Sequence, residues 1–199
     1  MKWTATGALL LTLAACGGGP EQRREEAGVD ARAICRLIEG DVTGWAGLGA
    51  LDHTQLPACL GPATKKGVRR FKLATLGSWL YRPASALGEV RVDWWMNGGT
   101  VVLVELAPAA GLAAGPLLAD LGPAESTFRY GEEELAYWNL DPPAGGALEE
   151  LAYAARGLSI LVARDAGGAA TVIRVRGFAP MPPSRYLDEY VRLRPEPLE

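Results

Sequence analysis

Residues that commonly build catalytic and metal sites are scarce in this sequence. The 199-residue chain has one histidine and three cysteines. His53 would need a carboxylate and a nucleophile beside it to form a catalytic triad, and adjacency in the chain does not place Asp52 in that role. A single histidine with so few thiols also falls short of a zinc site built from nitrogen and sulfur ligands. We therefore predict that the protein is not an enzyme and uses no cofactor.

Sequence motifs of the main hydrolase and nucleotide-binding families are also missing. The chain has no Gly-x-Ser-x-Gly elbow and no Gly-Lys-Ser/Thr phosphate loop. The glutamates at residues 132–134 and 149–150 are consecutive, and such runs are typical of solvated turns. Spacing alone does not exclude a pair of carboxylates suited to hydrolysis. The alternative interpretation is therefore a hydrolase that uses His53 or such a pair.

The chain also lacks the charge balance of a nucleic-acid-binding protein and the apolar runs of a membrane-spanning one. Its net charge is −3, which argues against nucleic acid as a partner. The apolar run at residues 5–13 is too short to cross a bilayer as a helix, which needs about 20 residues.

The N-terminus has the pattern of an export signal. Lys2 supplies a positive charge, the short apolar run follows, and two small residues precede Cys16. The segment Leu13-Ala14-Ala15-Cys16 resembles the lipobox of bacterial lipoproteins. That resemblance implies removal of residues 1–15 and a lipid on Cys16, which two or three acyl chains would hold stably in a membrane. The alternative is an ordinary signal peptide that leaves Cys16 free.

The residues after Cys16 predict how the anchored protein is arranged. Residues 16–30 are led by glycines and rich in charge, so we expect a flexible tether. Gly17 stands where lipoproteins kept at the inner membrane often carry Asp, so the resemblance favours the outer membrane of the cell envelope. The two remaining cysteines, Cys35 and Cys59, are expected to form a disulfide in that oxidising space, the alternative being two buried thiols.

Two stretches of the chain resemble each other in the same order. Residues 56–63 and 117–124 are short apolar segments that each end in Leu-Gly-Pro. Glycine hairpins follow at residues 97–99 and 165–168, between strand-like runs at 90–96 and 100–106 and at 158–163 and 171–178. We interpret this as an internal repeat, with chance similarity in an alanine-rich chain as the alternative.

The repeat predicts an α+β fold of two tandem copies, each a helix or helix pair followed by an antiparallel meander. The expected divisions are a first copy at 31–110, a second at 111–183, and a short C-terminal helix, capped by Ser184, and tail at 184–199. The arrangement resembles the fold of β-lactamase inhibitor protein and of the small outer-membrane assembly lipoprotein. The resemblance is carried by Leu56, Leu60-Gly61-Pro62, Leu117, Leu121-Gly122-Pro123 and the glycine hairpins. It implies binding and transfers no catalytic residues.

Alternation along the predicted strands separates a core face from a charged face. The core face is expected to hold Val92, Trp94, Val102, Val104, Ile173 and Val175. The opposite face would carry Arg91, Asp93, Trp95, Arg174 and Arg176. Because Trp and Arg are enriched among binding hot spots, we predict that this face binds a partner, unless a loop or the other copy covers Trp95.

A basic cluster within residues 65–72 has two interpretations. Lys65, Lys66, Arg69, Arg70 and Lys72 are most simply a solvated strand edge, or they contact anionic headgroups near the anchor. Together these observations predict a non-enzymatic lipoprotein of the cell envelope, anchored by lipid, that binds another macromolecule through a sheet face as an assembly factor or inhibitor-like module. We expect that partner to be a protein. The alternative is an envelope hydrolase.

Overall fold

The folded body is a single antiparallel sheet with short helices on both of its faces. The computed structural model describes Cys35, Ile38, Glu39 and residues 58–72, 74–85 and 88–193. The predicted signal peptide, the tether, the lipidation site Cys16 and His53 lie outside these residues.

Nine strands make up the sheet in the described part of the chain. They are β1 (Lys65–Phe71), β2 (Ala74–Tyr81), β3 (Val90–Asn97), β4 (Thr100–Pro108), β5 (Leu112–Ala113), β6 (Ser126–Arg129), β7 (Ala147–Tyr153), β8 (Leu158–Arg164) and β9 (Ala170–Phe178). Their order across the sheet is β1-β2-β3-β4-β9-β8-β7-β6, and all neighbours are antiparallel. The short β5 pairs with the start of β9, beyond the segment that pairs with β4.

The helices that lie within the described residues are short, and they do not alternate with meanders as the prediction of a helix or helix pair before each meander requires. They are α1 (Ala114–Leu121), α2 (Glu132–Trp138) and α3 (Pro183–Tyr186), which continues into a π-helical turn (Leu187–Val191). Two 3₁₀ turns lie at Ala58–Leu60 and Ala154–Arg156. Within the described residues, no helix has the length and apolar character needed to traverse a bilayer.

The prediction of two tandem helix-then-meander copies is therefore wrong. The sheet runs without interruption from β1 to β6 because β4 and β9 pair with each other. The segment after the second Leu-Gly-Pro does not form a meander directly, since α2 separates β6 from β7. The C-terminal helix begins at Pro183 and has Pro182, rather than Ser184, at its cap.

Local turn and helix-end signals were predicted correctly. Hairpins connect β3 to β4 and β8 to β9 at the two glycine segments. In the second, the Asp165 carboxylate accepts a hydrogen bond from the Ala169 N–H at 2.9 Å. The apolar segments end at Gly61 and Gly122, whose φ angles of 64° and 73° lie in the left-handed region that glycine tolerates.

Each face of the sheet is covered by its own hydrophobic cluster. On the first face, the strands pack against Ile38, Leu60 and Leu117, from a helical turn, a 3₁₀ turn and α1. On the second face, they pack against Tyr186 and Leu187 from the C-terminal segment, with contributions from α2. The fully buried Trp94 belongs to the first cluster, and Trp95, next in the chain, belongs to the second.

Two predicted core residues lie on the other face because of β-bulges. The register shifts between Trp95 and Met96 in the β3–β4 pairing, and between Leu161 and Val162 in the β8–β9 pairing. The extra residues are Val102 and Ile173, and both pack against the second cluster. A bulge leaves one residue unpaired and rotates it out of the alternation, so these two assignments were wrong. Val92, Trp94, Val104 and Val175 are in the first cluster as predicted.

A disulfide joins two of the elements that cover the first face. Cys35 and Cys59 are bonded, and their Cα atoms lie 5.7 Å apart. This separation is within the usual range of about 4.4 to 6.8 Å. The Glu39 N–H donates to the Cys35 carbonyl at 3.0 Å, so Cys35 is part of a helical turn, and Ile38 from the same turn enters the core.

Candidate functional site

A row of four polar side chains crosses the second face of the sheet. Asp93, Glu105, Arg176 and Ser159 lie directly opposite one another on β3, β4, β9 and β8. Each of the four is at most 5% exposed. Buried charges are costly unless they are paired and hydrogen-bonded, so the contacts of this row determine its role.

The inner end of the row is a saturated hydrogen-bond network centred on Glu150 of β7. Its carboxylate accepts hydrogen bonds from the hydroxyls of Tyr130 (2.9 Å), Tyr186 (2.6 Å) and Ser159 (2.5 Å). The Arg176 guanidinium lies 3.4 Å from the same carboxylate. Burial raises the pKa of Tyr130 and of Tyr186, and the Glu150 charge raises both further. These phenols therefore remain donors, and this end of the row is structural.

The outer end of the row is a cluster of arginines around Glu105. The Glu105 carboxylate lies 3.1 Å from Arg176, 3.2 Å from Arg174 and 3.5 Å from Arg91. Arg91 also lies 3.0 Å from Asp93. The Arg91 side chain is 41% exposed, whereas that of Arg176 is 1% exposed. The cluster thus runs from the interior of the protein to its surface.

The two carboxylates of the cluster have opposite pKa shifts. Burial acts to raise the pKa of Glu105, but Arg174, Arg176 and Arg91 outweigh it and hold the pKa below its ordinary value. Burial raises the pKa of Asp93, and the nearby Glu105 charge raises it further against the pull of Arg91. Asp93 and Glu105 face each other across β3 and β4, an arrangement that is destabilising without cations. Glu105 is therefore the better neutralised of the two.

The arginines open into a groove of about 400 Å³, which we call the arginine groove. Five arginines line it against two carboxylates, an excess of three positive charges in a protein whose net charge is −3. Aromatic rings from β1, β3 and α2 form the remaining wall. The lining residues are Arg69, Arg70, Arg91, Arg174, Arg176, Asp93, Glu105, Phe71, Trp95, Tyr137 and Trp138.

Buried polar atoms without a protein hydrogen-bond partner are concentrated in this groove. Among the described residues, six buried side-chain atoms have no such partner, and five of them belong to residues that line it. The sixth is the indole nitrogen of Trp94, in the opposite cluster. Because native proteins rarely leave buried polar atoms unpaired, such a concentration marks a candidate binding site. Two of the five, Arg91 Nε and Arg174 Nε, lie 3.0 and 3.2 Å from carboxylate oxygens in ion pairs that lack hydrogen-bond geometry. The other three are Asp93 Oδ1, Trp95 Nε1 and Arg176 Nη2.

The aromatic wall is held in place by ring contacts and one hydrogen bond. The Phe71 ring lies 5.2 Å from the rings of both Trp95 and Trp138. The Trp138 indole N–H donates to the Val191 carbonyl at 2.9 Å, which ties α2 to the C-terminal segment. Tyr137, at the rim, is 47% exposed and packs edge-on against Trp138.

The structure brings together all five residues predicted for the binding face. Arg91, Asp93, Trp95, Arg174 and Arg176 all line the arginine groove. The face is nevertheless not an open sheet surface, because Trp95 is only 8% exposed beneath Phe71 and its neighbours. Sequence reasoning missed four contributors: the central Glu105, Phe71 of β1, and Tyr137 and Trp138 of the unpredicted α2.

The basic cluster at residues 65–72 lies on the edge strand β1 and in the turn that follows it. Residues 65–70 are exposed. Charges along an edge strand discourage pairing with another chain, which agrees with the simpler interpretation of a solvated strand edge. Arg69 and Arg70 also form the rim of the arginine groove. Lys72 instead contacts the backbone carbonyl of Asp188.

The described residues give no support for metal chemistry. No group of three or more histidine, cysteine or acidic side chains in this part of the chain could hold a metal ion. The buried carboxylates of Glu105 and Glu150 are both engaged by Arg176.

Comparisons with known proteins assign no family to this chain. No protein-family model and no curated protein sequence matches the chain. Among solved structures, the chain is similar to a cysteine-rich secretory protein from Staphylococcus aureus, with 11% sequence identity and a TM-score of 0.38. The match covers 74% of this chain and 49% of that protein, so the chain spans about half of its length.

Proposed function

We propose that the protein is a lipid-anchored, non-enzymatic binding protein of the bacterial cell envelope and that it holds a protein partner in the arginine groove. The observation that carries this proposal is that three buried polar atoms without a protein hydrogen-bond partner, Asp93 Oδ1, Trp95 Nε1 and Arg176 Nη2, belong to residues that line the groove. A bound partner would supply the missing hydrogen bonds.

The composition of the groove supports binding rather than catalysis. Arginine, tryptophan and tyrosine are the side chains most enriched among binding hot spots, and the groove combines all three. Glu105 holds Arg174 and Arg176 at 3.2 and 3.1 Å, so these guanidinium groups are ordered before a ligand arrives. Preorganised groups lose less conformational entropy on binding, which favours affinity.

The N-terminal sequence supports the membrane anchor. The lipobox-like Leu13-Ala14-Ala15-Cys16 and the polar tether at residues 16–30 would hold the folded body near a membrane surface while leaving it free to turn. The outer membrane is the location favoured by Gly17. A tethered body with one preorganised groove suits an assembly factor or an inhibitor-like module.

Site-specific photo-crosslinking in cells tests the proposal. A photoreactive residue at Tyr137, on the exposed rim of the groove, should give a discrete adduct with one envelope protein. The additional change Arg91→Glu should abolish that adduct, because it reverses a partly exposed charge of the groove. Since Arg91 also contacts Asp93 and Glu105 of the buried row, near-ultraviolet circular dichroism must show that the variant is folded. The control is a photoreactive residue at Arg129, an exposed position on β6 at the opposite edge of the sheet. Identical adducts at both positions, or an adduct indifferent to Arg91→Glu, would contradict the proposal.

A further inference from the structure

We infer that the arginine groove recognises an acidic peptide segment, in which carboxylate side chains flank a large apolar residue. This inference rests on the proposed function and names the chemistry of the partner. It is carried by the charge of the groove, by the mixture of unpaired donors and acceptor within it, and by its aromatic wall.

The charge of the groove requires an anionic ligand. Five arginines face two carboxylates, and both of those carboxylates already contact arginines. Guanidinium groups pair with planar carboxylates through two parallel hydrogen bonds, a match that adds specificity to charge attraction. The Nη2 atom of the buried Arg176 has no protein partner, so a donor is available even at the base of the groove.

The unpaired acceptor distinguishes a peptide from a phosphate polymer. Asp93 Oδ1 is buried and without a partner in the same groove. Phosphate oxygens offer only acceptors at neutral pH and would be repelled by this carboxylate. A peptide carries backbone N–H groups that can donate to Asp93, together with side-chain carboxylates that can accept from the arginines. The groove is therefore matched to a ligand that both donates and accepts.

The aromatic wall accounts for the apolar residue. Phe71, Trp95 and Trp138 present ring surface next to the arginines. Trp95 also has an indole N–H without a protein partner, suited to a backbone carbonyl of the ligand. The volume of about 400 Å³ lies near the lower end of ligand sites, so the groove takes a short segment rather than a folded surface.

Calorimetric titration of the mature full-length protein tests the inference. The probes are a peptide with two glutamates around one phenylalanine, the same peptide with glutamines, and polyphosphate. The glutamate peptide should bind, and the glutamine peptide should bind at least about tenfold more weakly because charge-assisted hydrogen bonds are lost. Arg91→Ala should weaken the glutamate peptide by about tenfold, while Arg129→Ala leaves it unchanged.

Asp93→Ala decides between the two kinds of anion. It removes a repelling charge for both anions, but it removes a hydrogen-bond acceptor only from the peptide, whose backbone N–H groups can donate to Asp93. The affinity for the glutamate peptide should therefore fall relative to the affinity for polyphosphate. Near-ultraviolet circular dichroism of the buried tryptophans establishes that each variant is folded. Binding of polyphosphate in preference to the glutamate peptide, or equal binding of both peptides, overturns the inference. The proposed function survives that result if the Tyr137 crosslink still depends on Arg91.

Discussion

Arg176 is the residue that contacts two of the three buried carboxylates of the sheet. It lies 3.1 Å from Glu105 and 3.4 Å from Glu150, and its side chain is 1% exposed. Removing one partner of a buried ion pair leaves an uncompensated charge, at a cost of about 3 to 5 kcal/mol. We expect Arg176→Met to lower the free energy of unfolding by that amount, measured by urea denaturation.

A surface arginine provides the control for this prediction. Arg82 is 2.6 Å from Glu89, but the two side chains are 50% and 67% exposed. Exposed ion pairs contribute little, so Arg82→Ala should change the free energy of unfolding by less than about 1 kcal/mol. Comparable losses in both variants would show that Arg176 is not acting through burial.

The opposite pKa shifts of Asp93 and Glu105 predict opposite dependences of stability on pH. The pKa of Asp93 is raised from 3.8, so its folded state binds a proton more tightly than the unfolded chain does. Wild-type protein therefore loses stability as the pH rises from 3.8 through the raised pKa of Asp93. Asparagine does not titrate, so the Asp93→Asn variant does not show this loss. The free energy of unfolding of Asp93→Asn, relative to wild type, should rise across this window and then level off.

Glu105→Gln should show the reverse slope. The pKa of Glu105 is lowered from 4.5, so the stability its charge contributes is complete above 4.5 and is lost as the pH falls through the lowered value. The variant should be less stable than wild type at neutral pH, and its deficit should shrink on acidification. Urea denaturation at a series of pH values measures both slopes. Slopes of the same sign in the two variants would refute the electrostatic assignment.

The residues of the groove were only partly predictable from the sequence. Alternation along β3 correctly grouped Arg91, Asp93 and Trp95 on one face, since side chains of a strand point to alternate sides. Glu105 was missed although alternation about the correctly assigned Val104 places it on the charged face. What the bulge concealed is its partner: counting back from the Asn97–Thr100 pair would place Val104 opposite Asp93, whereas the bulge places Glu105 there. A one-residue shift exchanges the two faces of a strand, and nothing in the local sequence marks this one.

At the scale of elements, the disulfide covalently joins two of the elements that pack on the first face of the sheet. It joins the helical turn of Cys35 to the 3₁₀ turn at Ala58–Leu60, whose Leu60 enters the same cluster as Ile38. Closing a loop of this length stabilises a protein by about 3 kcal/mol in the chain-entropy model. The double variant with Cys35→Ser and Cys59→Ser should lose about that amount in urea denaturation. Two free thiols in the exported wild-type protein, detected by alkylation and mass analysis, would contradict the pairing.

Two glycines in different elements should respond oppositely to alanine. A Cβ at Gly146, just before β7, would overlap the backbone carbonyl oxygen of Arg164, which cannot move aside cheaply. Gly146→Ala should therefore destabilise the protein by about 1 to 3 kcal/mol. A Cβ at Gly67, within the exposed β1, meets nothing within 4 Å, so Gly67→Ala should stabilise by about 0.5 kcal/mol. Thermal unfolding of the two variants measures both effects, and equal shifts would show that the steric argument fails.

Elements with strong local signals were predictable, and those defined by distant pairing were not. The Asn97-Gly98 turn set one hairpin, because such a dipeptide adopts the turn that matches strand twist. The helix α2 was missed because its glutamates were interpreted as a solvated turn. The Gly131 N–H donates to the Glu134 carboxylate at 3.2 Å, so the same glutamates begin the helix. The pairing of β4 with β9, which makes one sheet of nine strands, joins residues about 70 positions apart and has no local signature.

At the scale of the whole molecule, charge is distributed unevenly. The chain carries a net charge of −3, yet the arginine groove holds an excess of three positive charges. Such a contrast focuses the electrostatic field at the groove and steers an anionic partner toward it. The two elements joined by the disulfide pack on the first face, and the arginine groove lies on the second face. The disulfide and the groove are therefore on opposite sides of the sheet. Loss of the disulfide should therefore lower stability more than it changes binding.

The final prediction concerns the proposed anchor, which determines where the groove operates. Cys16→Ala should prevent lipid attachment, because the thiol that would carry the acyl chains is absent, and should shift the protein from the membrane fraction to the soluble fraction. Intact-mass analysis of the mature wild-type protein should show an acylated N-terminus at Cys16. Binding of the glutamate peptide should be the same in the variant and the wild type, since the groove lies in the folded body rather than at the anchor. The crosslink from Tyr137 in cells should weaken, because the local concentration of the partner falls when the protein leaves the membrane. An unmodified N-terminus in the wild-type protein would refute the anchor while leaving the binding role of the groove to its own tests.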